Sequence, residues 1–276
     1  MGNISALVNS GWIRFVEADI NDADLLKNEL KGKRYVFHEA AIPSVPRSVR
    51  DPLRTNGANV TGTLSVLVAA RDCGVGKVIF ASSSSVYGDT PTLPKHEGME
   101  ARPMSPYALT KLAGEHYCRL FTELYGLKAV ALRYFNVYGP RQDPLSEYAA
   151  AVPRFIKCAL AGEKMPIHGD GEQTRDFSFV KDVVRANVLA AESGATGVYN
   201  VAGGRRVSIM ELAGIVAKAC GVEPRVEHLP ARVGDVRDSL ADISRAREAL
   251  GWSPGWTLEQ GIREAAEWFR GHWALL

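Results

Sequence analysis

The stretch Lys77-Val-Ile-Phe-Ala81, continued by Ser-Ser-Ser-Ser85 and Val-Tyr-Gly-Asp89, decides the fold. Its first five residues are rich in β-forming side chains and predict a strand. Hydroxyl groups that follow a parallel strand lie at its carboxyl end, where ligands bind in open α/β sheets. The serines are therefore a candidate site, although serines that only finish a strand and start a turn would give the same pattern.

Short β-rich runs alternate with longer helical patterns on both sides of this stretch. Besides residues 77–81, strands are predicted at residues 13–17, 34–38 and 129–133, and helices from about Asp22, over residues 59–73 and from Tyr107 onward. Strands that alternate with helices of this length predict right-handed βαβ units and a parallel sheet. After about Asn136 the alternation loosens and Pro and Gly become frequent. We therefore expect a sheet domain over residues 1–136 and, over residues 137–276, a smaller lobe interleaved with the last strands.

Composition narrows the class of protein. The chain has 276 residues, of which 46% are hydrophobic and 23% charged, which is enough for a sizeable core. The net charge of +2 indicates neither a nucleic-acid nor a membrane partner. Four cysteines without a Cys-x-x-Cys pair and six histidines without metal-ligand spacing predict free thiols and no metal. The N-terminus lacks the pattern of a signal peptide, so we expect a cytoplasmic protein.

Tyr107 and Lys111 lie four positions apart in Ser105-Pro-Tyr-Ala-Leu-Thr-Lys111. Pro106 suits the first turn of a helix, and residues i and i+4 share one helix face. An ammonium beside a phenol favours phenolate and lowers its pKa toward neutrality, which predicts a general acid and base. The spacing alone is weak, because many surface helices contain it by chance. Its position after the serine run makes it a strong candidate.

Together these segments resemble the extended short-chain dehydrogenase/reductase family, which includes the NAD-dependent nucleotide-sugar epimerases and dehydratases. The matching stretches are residues 15–20, 38–41, 59–63, 82–89, 105–111, 132–140, 169–176 and 232–235. So many ordered motifs make a chance match very unlikely. Within the family the chain is most similar to the UDP-glucose and UDP-N-acetylglucosamine 4-epimerases. The resemblance implies a Rossmann-type, doubly wound α/β sheet with NAD held by residues 1–136 and a UDP-sugar held mainly by residues 137–276.

The resemblance also implies a role for each matching residue. Tyr107 exchanges the proton of the sugar 4-hydroxyl, and Ser83 hydrogen-bonds the 4-oxygen. Lys111 lowers the pKa of Tyr107 and holds the nicotinamide ribose. The expected contacts of NAD are Asp19, Ile20, Ala40, Ala41, Ile42, Asn59, Tyr107, Lys111 and Phe135. The expected contacts of the UDP-sugar are Ser44, Ser83, Ser84, Ser85, Asn136, Val152, Ile167, His168, Arg175, Arg232, Asp235 and Ser239.

Some of these positions have an ordinary structural interpretation as well. Guanidinium groups bind phosphate in bidentate fashion, so Arg175 and Arg232 suit a diphosphate, yet each alone would pass for a surface arginine. We expect His38 to be a core residue without a catalytic role. Asp89 and Asp176 are expected to organise turns and hydrogen bonds.

Residue types next to the active hydroxyl favour one reaction. The family's reactions begin with hydride removal from sugar C4, and its 4,6-dehydratases carry an Asp-Glu pair directly after the active hydroxyl. Ser84 and Ser85 stand there in this chain, which disfavours elimination and leaves epimerisation as the simplest reaction, with NAD regenerated in each cycle. A dehydratase or decarboxylase, and an inactive homologue that binds a UDP-sugar or a partner, stay as alternatives.

Ser239 lies where the resemblance places a size gate for the sugar 2-substituent. A bulky Tyr at this position favours glucose and galactose, whereas a small residue admits an N-acetyl group. Ser44-Val-Pro-Arg-Ser48 also resembles the epimerases that accept N-acetyl sugars. We therefore expect activity on UDP-GlcNAc and UDP-GalNAc, alone or together with UDP-Glc and UDP-Gal.

One family motif has no counterpart in the sequence. The Gly-x-x-Gly-x-x-Gly turn that receives the pyrophosphate at a helix N-terminus is expected near the start, but Gly2 and Gly11 are the only glycines before Gly32. Relative to the family, the chain is expected to begin just after the second strand. A truncated gene model is the favoured explanation, and a natural protein that binds NAD poorly is the other.

The family resemblance implies a homodimer as well. Its usual interface joins two helices of each copy, here roughly residues 59–73 and 107–124. The apolar residues of these segments could equally pack on the sheet, so the sequence alone leaves both arrangements open.

Overall fold

The computed structural model describes residues 3–145, 150–231 and 236–272. The helices are α1 (Ser5–Asn9), α2 (Ala23–Leu30), α3 (Val45–Arg50), α4 (Pro52–Asn56), α5 (Gly62–Asp72), α6 (Pro106–Tyr125), α7 (Ala151–Ala161), α8 (Val180–Glu192), α9 (Ile209–Cys220), α10 (Ser244–Leu250) and α11 (Leu258–Gly271). The strands are β1 (Tyr35–His38), β2 (Lys77–Ser83), β3 (Lys128–Tyr134), β4 (Val137–Tyr138), β5 (Met165–His168), β6 (Thr174–Asp176), β7 (Ser178–Phe179), β8 (Gly197–Val201), β9 (Arg206–Ser208) and β10 (Val226–Leu229). A π-helical turn, Gly57–Thr61, leads into α5, and a 3₁₀ turn, Ser84–Tyr87, follows β2.

A four-stranded parallel sheet in the order β1-β2-β3-β8 organises the molecule, which confirms the α/β prediction. Successive residues of a strand point to opposite faces. Val78 and Phe80 therefore pack under α5 and α6, whereas Ile79 packs on the other face with α8 and Trp252. Both faces are covered, as a doubly wound sheet requires. Three two-stranded sheets, β5 with β10, β4 with β7 and β6 with β9, build the remaining part around a core from α7, α9 and α11.

The strands and helices predicted around β2 are confirmed to within a few residues, but the strand predicted at residues 13–17 is wrong. These residues form no regular element, and Phe15 and Val16 are exposed. A β-rich segment becomes a strand only where a neighbour satisfies its backbone groups. Within the described ranges no strand pairs with it.

Helix α6 is well specified by its ends. Ser105 caps its N-terminus by accepting a hydrogen bond from the amide of Ala108, and Pro106 occupies the first turn. Gly126 ends it in the left-handed conformation, with φ at 70°. Midway along the helix, Gly114 faces the ring of Phe80, and a Cβ added to Gly114 would lie only 2.3 Å from that ring. The missing side chain therefore lets α6 lie directly on β2.

Across the described ranges, no helix combines the length and the apolar character needed to cross a bilayer.

The close approach of α6 to β2 generates a stability prediction. Gly114→Ala places a methyl group against the buried Phe80 ring, so the free energy of unfolding should fall by about 1–3 kcal/mol. Gly214→Ala is the matched control, because it lies inside α9 with open space around its Cβ position, and it should gain about 0.4–1 kcal/mol. Urea unfolding followed by circular dichroism measures both. Equal effects of the two substitutions would contradict the close approach.

Candidate functional site

The carboxyl end of β2 and the first turn of α6 bring two hydroxyl groups together. Ser83 is the last residue of β2, and its hydroxyl hydrogen-bonds the phenol of Tyr107. The Ser83 oxygen also accepts hydrogen bonds from the backbone amide of Ser85 at 3.2 Å and from its hydroxyl at 2.9 Å. Ser84 and Ser85 belong to the 3₁₀ turn, so the serine run both finishes the strand and faces the tyrosine.

Lys111 lies on the same side of α6 as Tyr107 and is buried. Its ammonium donates a hydrogen bond of 2.7 Å to the carbonyl of Ala81 and lies 5.9 Å from the centre of the Tyr107 ring. Burial lowers the pKa of Lys111 to about 8, although the carboxylate of Glu39 acts in the opposite direction. The ammonium thus bridges the end of β2 and the helix.

The structure differs from the expectation of a lowered phenol pKa. Burial raises the pKa of Tyr107, and the hydrogen bond with Ser83 lowers it only in part. The reason is geometric, because the Lys111 ammonium is directed to the Ala81 carbonyl rather than to the phenol oxygen.

The residues expected to contact NAD follow β1 and surround α5. Ala40 and Ala41 come directly after β1, at the same edge of the sheet as Ser83. Asn59 fastens the next residue, because its side-chain oxygen accepts from the Ile42 amide at 2.7 Å and its side-chain nitrogen donates to the Ile42 carbonyl at 3.1 Å. The same nitrogen donates to the hydroxyl of Thr110 on α6 at 3.0 Å. Asn59 therefore joins the segment after β1 to α6.

The other expected NAD contacts fall in two different places. Asp19 is exposed, and its carboxylate accepts hydrogen bonds from the backbone and side chain of Asn21. The side chain of Ile20 packs against Gly62, and a Cβ added to Gly62 would lie only 2.5 Å from that side chain. Phe135 departs from expectation, because its side chain is fully buried and tilted against the ring of Tyr87, which leaves no face of its ring open to a ligand.

His38 is a core residue, as expected. Its ring lies 2.9 Å from the Thr63 hydroxyl, and burial, with a smaller contribution from Lys111, lowers its pKa to about 4. The neighbouring Glu39 was missed by the sequence analysis. Its carboxylate accepts a 2.9 Å hydrogen bond from Tyr134, and burial raises its pKa while Tyr134 and Lys111 lower it. Its place just after β1, at the ligand-binding edge, was the available signal.

A cavity of about 210 Å³ gathers part of the expected UDP-sugar contacts. Asn136, Val152, His168 and Arg175 line it, together with residues that the sequence analysis did not single out: Val137, Tyr138, Ala150, Ala151, Arg154, Phe155, Pro166, Gln173, Phe177 and Ile209. Ile167 is fully buried beneath the wall, between two lining residues. Four expected contacts from three distant parts of the chain therefore meet in one space.

The remaining expected contacts have the following positions. Ser44 caps α3 and has φ at 98°, a conformation unusual for a residue with a side chain. The guanidinium of Arg175 donates to the carbonyls of Thr174 and Arg237. Ser239 is buried, and its amide donates to the Thr174 carbonyl at 3.2 Å. Arg232 and Asp235 lie outside the described residues.

Comparison with known proteins identifies the family. Residues 2–202 match the family described as "NAD dependent epimerase/dehydratase family". The chain belongs to this family. It is 45% identical, over 272 residues, to a UDP-glucose 4-epimerase of Mycolicibacterium smegmatis, with 97% of this chain and 86% of the relative covered.

Solved structures agree with this assignment. The UDP-N-acetylglucosamine 4-epimerase of Methanobrevibacter ruminantium, in complex with UDP-N-acetylmuramic acid, shares 46% identity at a TM-score of 0.90 and matches over 93% of this chain and 82% of its own. The Thermus thermophilus UDP-glucose 4-epimerase, in complex with NAD, shares 38% identity at a TM-score of 0.87. The match covers 94% of this chain and 86% of the Thermus chain. The Rossmann-like α/β fold is therefore confirmed.

Proposed function

We propose that this chain catalyses the NAD-dependent 4-epimerisation of a UDP-hexose through a transient 4-keto sugar. The observation that carries the proposal is the meeting of Ser83, Tyr107 and Lys111 at the carboxyl end of β2. The cavity lined by Asn136 and Arg175 is the candidate space for the UDP part of the substrate. The names of the relatives support the same reaction. NAD, when bound, takes the hydride from sugar C4 and returns it.

The side chains supply the proton chemistry. Tyr107 acts as the base in its phenolate form, which takes the proton of the sugar 4-hydroxyl and later returns it, while the Ser83 hydroxyl holds the 4-oxygen. The Lys111 ammonium lies 5.9 Å from the centre of the Tyr107 ring and is directed to the Ala81 carbonyl, so it favours the phenolate only through space, against the burial that raises the phenol pKa. With a pKa of about 8, the lysine is still mostly protonated at neutral pH. Arg175 binds the diphosphate, for which a planar guanidinium is suited.

The residues around β1 fit NAD. Ala40 and Ala41 have small side chains next to the sheet edge, which leaves room for the cofactor to pass. Two N–H groups of the Lys111 ammonium are left after its bond to Ala81, enough for the hydroxyl groups of a ribose. Asp19 and Ile20 would hold the adenine part, and Ile42 is kept in register by Asn59.

Elimination is the second candidate reaction, and the local chemistry disfavours it. Ser84 and Ser85 occupy the positions at which dehydratases of the family carry carboxylic acids. Ser85 uses its hydroxyl to bond Ser83. A hydroxyl group is a far weaker acid than a carboxyl group, so neither serine can protonate a departing 6-hydroxyl.

Three further properties belong to this proposal. We propose that residues 1–136 hold NAD and that residues 137–276 mainly hold the UDP-sugar, although β8 completes the sheet. The four cysteines are free thiols, which supports a reducing compartment and thus the cytoplasm. A homodimer through α5 and α6 is supported by Leu109 and Leu124 on α6, which are 57% and 67% exposed.

The first prediction concerns the phenol. Tyr107→Phe should lower kcat by a factor of about 10²–10⁴, because the proton of the 4-hydroxyl then has no acceptor. Chromatography measures kcat from the interconversion of UDP-GlcNAc with UDP-GalNAc and of UDP-Glc with UDP-Gal. Tyr117→Phe, also on α6, is the control and should keep full activity. A 4-keto-6-deoxy product from the wild type would instead assign elimination.

The second prediction concerns the sugar 2-substituent. Ser239→Tyr puts a ring at a buried position and should lower kcat/KM for N-acetylated substrates roughly tenfold or more relative to plain hexoses. Ser244→Tyr, on the exposed start of α10, should leave the ratio unchanged. An unchanged ratio in Ser239→Tyr would remove the size gate from the proposal without affecting the reaction itself.

The third prediction concerns the oligomer. The double substitution Leu109→Glu with Leu124→Glu puts charges on the exposed face of α6 and should convert a dimer into a monomer in light scattering. Val184→Glu with Val188→Glu is the matched control, since both valines are exposed on α8, across the sheet. A wild type with monomer mass would end the dimer proposal.

A further inference from the structure

Asp176, at the end of β6, has a completely buried side chain that holds two other segments of the chain. Its relative exposure is 0%. One carboxylate oxygen accepts a 3.0 Å hydrogen bond from the amide of Gly204, and the other accepts a 3.1 Å hydrogen bond from the amide of Ala241. A Cβ on Gly203 would lie 2.3 Å from the Phe177 carbonyl oxygen and 3.3 Å from the first carboxylate oxygen, so only glycine lets that backbone come so near.

The second segment, residues 236–242, is the one that carries Ser239. Residues of β6 hold it from one side, because the Ser239 amide donates to the Thr174 carbonyl and the Thr174 amide donates to the Arg237 carbonyl. Lys95 holds it from the other side, since its amide donates to the Leu240 carbonyl at 2.7 Å. The side chains of β6 hold this segment as well: the Thr174 hydroxyl hydrogen-bonds Asp238, the Arg175 guanidinium donates to the Arg237 carbonyl, and the buried Asp176 carboxylate accepts from the Ala241 amide.

Asp176 also holds Asn136, through its main chain. The Asn136 side chain donates a 2.8 Å hydrogen bond to the Asp176 carbonyl, and Asn136 has φ at 36°, a left-handed conformation that costs a non-glycine residue energy. Arg175 precedes Asp176 directly. Asn136 is therefore one hydrogen bond from this aspartate, Arg175 is its neighbour in the chain, and Ser239 lies two residues from its partner Ala241.

The carboxylate form carries this arrangement. Burial raises the pKa of Asp176 to about 7, while the backbone N–H groups of Ala241, Gly204, Gly203 and Arg205 lower it. An amide in the same place would turn an N–H group toward one of the N–H donors, so one of the two segments would lose its partner.

We propose that Asp176 is a positioning residue for the substrate: its carboxylate fixes the segment of Ser239 to the strand that carries Arg175, and this sets affinity and selectivity for the UDP-sugar without taking part in the proton transfer. This inference rests on the proposed function for the identity of the substrate. Its structural part stands on the contacts alone: the carboxylate joins the Gly204 and Ala241 segments to β6, and the carbonyl of the same residue holds Asn136.

The test is Asp176→Asn in the full chain, nearly identical in shape. KM for the UDP-sugar, and Kd for UDP by calorimetry, should rise roughly tenfold or more, because a hydrogen bond to a charged group is lost, whereas kcat at saturation should change by less than about threefold. The preference between N-acetylated and plain substrates should also shrink. If Asp176→Asn does not fold, Ala241→Pro is the substitute test. It removes one N–H donor but keeps the carboxylate, and it should raise KM in the same way.

Asp182→Asn is the matched control. Asp182 is also buried and accepts hydrogen bonds from two backbone amides, those of Gly255 and Trp256, but their segment carries none of the expected UDP-sugar contacts. It should lower thermal stability without changing KM. The inference would be overturned if KM rose equally in Asp182→Asn. It would also be overturned if Asp176→Asn left KM unchanged or lowered only kcat. A wild type that binds UDP without epimerising would refute the proposed reaction and leave the UDP-binding arm of this test intact.

Discussion

The contact between α6 and β2 is the constraint on which the site depends. Gly114 has no side chain where the helix crosses the ring of Phe80, so the helix axis can lie close to the strand. This places the first turn of α6 beside the end of β2 and lets the phenol of Tyr107 reach the hydroxyl of Ser83. A bulkier residue would separate the two elements, and the Tyr107 phenol would then lose its contact with the Ser83 hydroxyl.

Main-chain groups fix the charged side chains of the site. The Lys111 ammonium is held by the carbonyl at Ala81, and the Asp176 carboxylate is held by the amides of Gly204 and Ala241. Buried charges require such partners, because their desolvation costs several kcal/mol without them. The same hydrogen bonds connect segments that are distant in the sequence, so they both stabilise the buried charges and fix the positions of these segments. The shifted pKa values of both groups reflect how little water reaches them.

Sequence reasoning recovered the elements that local pattern specifies. The β2 run, the cap and proline at the start of α6, and the i, i+4 placement of Tyr107 and Lys111 all depend on residues close together in the chain. It failed where the outcome depends on a distant neighbour. Residues 13–17 have the composition of a strand but no described strand beside them, and Phe135 has the position of a ligand contact but packs into the core.

The α/β class and the family follow from the sequence alone, which also predicts the acid–base residues, because periodicity, capping and ordered motifs are local properties of the chain. Only the tertiary structure decided how they are used. It directs the Lys111 ammonium to the Ala81 carbonyl, makes Asn59 a clamp on Ile42, and puts one aspartate between Asn136, Arg175 and Ser239. Hydrogen bonds and burial between segments far apart in the chain create these relations, and no local pattern of residues encodes them.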